Sequence, residues 1–141
     1  MKPTGTDVAG LIARSAPAIR RRDAETLTAL MQEISGREPM TWGTIIGFGR
    51  CEYRYQTGRT GEMGLLSFAP RKAATTIYLT DGVDAHADEL GALGPHTTGV
   101  GCLYIPDLEQ IELNVLRSIL ARSLAWVEAG GSGGMQLTVL G

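Results

Sequence analysis

The chain has 141 residues, enough for one domain that buries roughly 70% of its unfolded surface without a disulfide or structural metal. Lys+Arg 13 against Asp+Glu 15 leaves a net charge of -2, which excludes the basic footprint of a protein that binds nucleic acid or an anionic membrane through global charge. Apolar residues at 43% and charged residues at 20% exclude a wholly disordered chain, and no apolar run approaches the ~18 residues of a membrane span.

The N-terminal residues lack the apolar core of a signal peptide, so the expected compartment is the cytoplasm, where Cys51 and Cys102 are free thiols. Thr6 or Asp7 caps a short helix carrying Val8, Leu11 and Ile12, and Pro17 suits the first turn of a second helix. In that second helix Ala24, Leu27, Leu30, Met31 and Ile34 recur at helical spacing until Gly36 and Pro39 stop it. Arg20, Arg21 and Arg22 read as a solvated face, with Arg21 pairing with Glu25 one turn on.

From Met40 the period becomes two. Trp42 to Tyr55 reads as two strands, or one broken at Gly47 and Gly49, and Gly58-Arg59-Thr60-Gly61 as the turn of a hairpin into a strand from Met63 to Phe68. Pro70-Arg71-Lys72 turns the chain into a strand from Ala74 to Thr80, completing an antiparallel meander. Asp84 then caps a short helix with Ala87, Leu90 and Leu93, ended by Gly94-Pro95, and a loop of His96-Thr97-Thr98-Gly99 leads to a strand from Cys102 to Ile105. The final large element is an amphipathic helix from Leu113 to Val127, with Leu116, Ile119, Leu120, Leu124 and Val127 on its apolar side. Residues 1–129 thus make the domain and 130–134 a Gly/Ser linker. Met135 to Leu140 alternates like a strand, and 135–141 reads either as a frayed tail or cloning scar, or as a strand added to a sheet edge.

Chemistry is less legible. Cys51, His86, His96 and Cys102 make a Cys2His2 set by count, but no two have the close spacing of a zinc finger or ribbon. His96 with Cys102 is the one conceivable base and nucleophile, and neither Gly-x-Ser-x-Gly nor a P-loop occurs. Carboxylates Asp81, Asp84, Asp88 and Glu89 gather around the third helix, where capping and solvation account for them. Arg71-Lys72 after Pro70, and His96-Thr97-Thr98-Gly99 before a strand, instead offer cations and hydroxyls of the kind an anion or polar-ligand site uses.

Trp42-Gly43, Ile46-Gly47-Phe48-Gly49, Ser67-Phe68-Ala69-Pro70-Arg71-Lys72, and His96-Thr97-Thr98-Gly99 running into Cys102-Leu103-Tyr104-Ile105 follow one another in an order and spacing that resembles the YdhG-like domains of unknown function, over roughly residues 5 to 127. The resemblance implies a small cytosolic bacterial domain, similar to frataxin in architecture, and an intracellular iron chaperone role carried by some relatives. Iron prefers carboxylate oxygen, for which Asp81, Asp84 and Asp88 are the candidates here; the first helix offers only Asp7 and the second opens on three arginines.

The expected fold is one α+β domain: two N-terminal helices, an antiparallel sheet of about five strands, a short helix before the last strand, and a C-terminal helix packed on the sheet. The expected function is non-enzymatic binding of a small anionic or polar ligand at Trp42, Arg71, Lys72, His96 and Thr98, without a cofactor, nucleic acid or membrane. The alternatives are iron delivery and a protein-interaction module using a sheet edge, with self-association through the C-terminal tail.

Overall fold

The first helix, α1 (Val8–Ala13), is opened by Asp7, whose carboxylate accepts the Gly10 N–H at 3.0 Å. The structure, a computed structural model, describes residues 3–141. Helix α2 (Ala18–Ser35) ends at Gly36, whose φ of 66° lies in the left-handed region that only glycine adopts without strain. Its apolar stripe is the one the spacing predicts: Ala24, Leu27 and Met31 are fully buried and Leu30 nearly so.

Strands β1 (Pro39–Trp42), β2 (Ile45–Phe48), β3 (Cys51–Tyr55), β4 (Thr60–Met63), β5 (Leu66–Pro70) and β6 (Thr75–Tyr78) follow, with β1–β2, β3–β4 and β5–β6 forming hairpins. The segment from Met63 to Phe68 is not one strand, as its apolar pattern suggests. It breaks at Gly64-Leu65, because β4 belongs to one sheet and β5 to another. A 3-10 turn over Val83–His86 and the short helix α3 (Ala87–Leu90) come next, and Asp84 makes no capping hydrogen bond to either. Thr97 and Thr98 form strand β7, paired with β8 (Cys102–Ile105), where the sequence reads a loop. Helix α4 (Leu113–Glu128) precedes β9 (Met135–Val139).

All strand pairings are antiparallel. The main sheet has six strands in the order β1-β2-β5-β6-β8-β7, and a second has three in the order β4-β3-β9. Alternation along the main sheet sends Ile46, Phe48, Leu66, Phe68, Ile77, Leu103 and Ile105 into the core. There they join Leu27 and Met31 of α2 and Leu116, Ile119 and Leu120 of α4. The molecule is a single α+β domain with α4 packed on the sheet.

The three arginines do not share a solvated face. Arg20 is buried; its guanidinium donates to Thr75 Oγ1 at 2.9 Å, to the Ile105 carbonyl at 3.3 Å and to the Pro106 carbonyl. Asp23, also buried, lies 3.7 Å from Arg20 and accepts the Leu108 N–H at 2.9 Å. Arg22 bridges Asp23 and Asp107, and Arg21 donates to the Ser15 carbonyl rather than pairing with Glu25. Helical periodicity cannot reveal this, because the partners lie on a strand end far along the chain.

The Gly/Ser segment is a structured turn. Gly130, Gly131, Gly133 and Gly134 all have positive φ, and Ser132 Oγ accepts the Trp126 indole N–H at 3.1 Å. It delivers β9 alongside β3, with Leu137 opposite Tyr53 and Val139 opposite Cys51, so that the buried Leu137 completes the core.

Candidate functional site

The alternation that buries Ile46, Phe68 and Ile77 places Ile45, Ser67 and Tyr78 on the opposite face of the main sheet, in register with Trp42 on β1. The chain returns from the second sheet at Gly64, between β4 and β5. A Cβ on Gly64 would lie 2.7 Å from the Cα of Gly47, so the two strands touch there through bare backbone. Between the sheets lies a cleft of about 310 Å³, within the usual size of a small-molecule site. Trp42, Ile45, Ser67 and Tyr78 line it from the main sheet, and Tyr55, Glu62, Met63 and Met135 from the second. Most of this wall is apolar.

The Trp42 ring lies across Gly47, where a Cβ would come within 2.6 Å of the indole. Only glycine leaves the ring this seat. Trp42 is 3% exposed, and its indole N–H has no hydrogen-bond acceptor among the described residues, an arrangement that typically costs about 1–3 kcal/mol. At the mouth, the exposed Arg71 donates to Thr44 Oγ1 at 2.7 Å and to the Tyr78 hydroxyl at 3.4 Å. No carboxylate among the described residues pairs with it. Glu62, the one carboxylate in the wall, is held by Arg50 through contacts of 2.8 and 3.0 Å. Tyr78 accepts from Arg71 and keeps its own proton to donate. Tyr55, Ser67 and Thr80 add hydroxyls, which both donate and accept, to this mostly apolar wall.

Of the residues expected from sequence, Trp42 lines this cleft and Arg71 borders it through Tyr78 and Thr44. Lys72 is exposed in the β5–β6 turn and does not line the cleft. His96 and Thr98 do not join them. In the ladder Pro70 faces Thr75, Thr75 faces Ile105, and Thr97 faces Tyr104. Two strands thus separate β5 from β7, a distance of about 14 Å. His96 is half-buried, its Nδ1 2.7 Å from the Gly94 carbonyl oxygen. It also lies about 10 Å along the strand from the level of Cys102, since Gly99 bonds to Cys102. The residues the sequence leaves unmarked are Ser67, Tyr78, Tyr55, Glu62 and Met135. Their only signal is the small residues Gly47 and Gly64, which mark a close approach.

The acidic candidates are dispersed. Asp81 is occupied by Ser123, which donates at 2.8 Å, and by His86 Nε2 at 2.8 Å. His86 is buried, with Nδ1 unbonded and 3.7 Å from Glu89. Because Asp81 sits between serine and histidine, this is not the arrangement of a nucleophile beside its base. A hydrogen bond from Ser118 and the guanidinium of Arg122 hold the Glu89 carboxyl below its ordinary value. Asp84 and Asp88 are exposed, and among the described residues no three His, Cys, Asp or Glu side chains form a metal-holding group.

The cysteines differ in setting. Cys51 is fully buried on β3, and burial pushes its thiol up to about 11; Cys102 is partly exposed on β8. Cys102 and then burial and Tyr78 hold the Tyr104 phenol above its ordinary value. No helix among the described residues is long and apolar enough to cross a membrane. Compared with known protein families, with curated proteins and with solved structures, the chain gives no match.

Proposed function

We propose that this chain is a YdhG-like, non-enzymatic binding protein for a small molecule, held in the cleft between the two sheets. The observation that carries the reading is the cleft itself, about 310 Å³ between the two sheets, with Trp42 and residues of both sheets forming a mostly apolar wall. The wall supplies apolar surface and donors, which bind and orient a molecule. Relative to the sequence expectation, the site keeps Trp42 and Arg71 and gains Ser67 and Tyr78.

Trp42 is also the reporter. The chain has two tryptophans, so a Trp126→Phe variant leaves Trp42 as the sole indole. Titrating it with small aromatic acids, amides and alcohols is expected to give a saturable change in emission and a rise in melting temperature. Ser67→Leu, which fills the cleft from its floor, is expected to abolish both. Titrations that never saturate, or that are indifferent to Ser67→Leu, refute the reading.

A further inference from the structure

The cleft's polar groups carry a bias that narrows the ligand. Tyr78 accepts from Arg71 and has a proton left to give, and Arg71 uses two of its five N–H donors, on Thr44 and Tyr78. The acceptor in the wall, Glu62, is already engaged by Arg50. Arg71, which has no carboxylate partner among the described residues, is thus joined through Tyr78 to one end of a cleft whose wall is mostly apolar. Among the described residues no other cation lines the wall, which leaves Arg71 alone to meet an anionic group.

Building on the cleft reading above, we propose that the ligand is an amphipathic monocarboxylate: its apolar body lies against Trp42, Ile45 and Met63, and its carboxylate is held at the mouth by Arg71 and the Tyr78 hydroxyl. The planar guanidinium fork matches a carboxylate in two parallel hydrogen bonds, which a neutral amide or alcohol cannot reproduce. The apolar body supplies affinity through burial, and the Arg71 contact supplies the choice of head group.

The test uses the full chain carrying Trp126→Phe, with three probes that share one body: 3-phenylpropionate, 3-phenylpropionamide and 3-phenylpropanol, with acetate as the bodiless anion. The expected result is that 3-phenylpropionate binds about tenfold tighter than the amide or alcohol, as charge-assisted hydrogen bonds allow, and that acetate fails to compete. Arg71→Gln, checked for an unchanged urea midpoint, is expected to remove the preference for the acid while leaving the alcohol's affinity as it was. If the three probes bind alike and Ser67→Leu abolishes all of them, the carboxylate assignment falls and the cleft reading stands. A preference that survives Arg71→Gln overturns Arg71 as the anchor, and acetate competing as well as 3-phenylpropionate overturns the apolar body. Absence of binding by every probe overturns both readings.

Discussion

Asp23 sits 1% exposed between a buried arginine and a backbone N–H. Arg20 cannot lose it cheaply, because its guanidinium is enclosed by Thr75, Ile105 and Pro106 and has no other carboxylate beside it. Removing one partner of such a pair leaves the other charge buried without compensation, which typically costs about 3–5 kcal/mol. Asp23→Ala is therefore expected to lower the urea-unfolding free energy by that amount. Replacing Arg20 by Met and Asp23 by Leu together should recover much of it. An Asp23→Ala protein as stable as the parent would show that the network contributes nothing to holding α2 on the end of the sheet. The same residues show why the arginine run misled: a run of three cations looks like solvated surface, and only the pairing partners on distant strands make one of them interior.

Among the elements, β9 does the most for its length. It covers β3, contributes Leu137 to the core and Met135 to the cleft, and pairs Val139 with Cys51. In the intact chain a thiol reagent is expected to modify Cys102, which is partly exposed, while Cys51 stays inert. Ending the chain at residue 134 should expose Cys51, so that two thiols react in the native protein, and should cost roughly 1.5–3 kcal/mol for the lost burial of Leu137. Counting reactive thiols before and after truncation decides it, and a Cys51 that stays unreactive would mean β9 is not what covers it. Helix α4 needed no such inference. Leu116, Leu120 and Leu124 are spaced for one face, and all three are buried.

The pH dependence of stability belongs to the molecule as a whole and has two limbs. The Glu109 N–H, with Arg22 and Gln110, holds Asp107 below its ordinary value of 3.8, and Ser118 and Arg122 do the same for Glu89 below 4.5. Groups depressed on folding contribute stability that is present above those ordinary values and lost as pH falls through the depressed ones. On the alkaline side Cys51 rises from 9.0 to about 11. Its contribution is complete below 9.0 and is lost as pH rises through about 11, because the unfolded thiol ionises first. Urea unfolding across this range is expected to show a plateau near neutrality with a fall on each side. The acid fall should shrink in Asp107→Asn and the alkaline fall in Cys51→Ala; an unchanged profile in either variant removes that group from the account.

Hydrophobic period and turn chemistry were enough for the class of the fold, the buried stripes of α2 and α4 and the turn at Gly36, because each depends on neighbours a few positions away. Trp42 and Arg71, which the proposed site uses, stood out in the sequence for the same local reason, an aromatic and a cation beside turns. Strand order decided everything else. Placing β6 and β8 between β5 and β7 carried His96 and Thr98 away from Arg71, while the departure of β3 and β4 into a second sheet set Tyr55 and Met63 opposite Ser67 and Tyr78. The tail's alternation was visible, but its partner was not, since a strand pairs with whichever edge the folded core leaves free. A cleft between two sheets is a relation among segments distant in sequence, and it exists only once long-range pairing has chosen which faces meet.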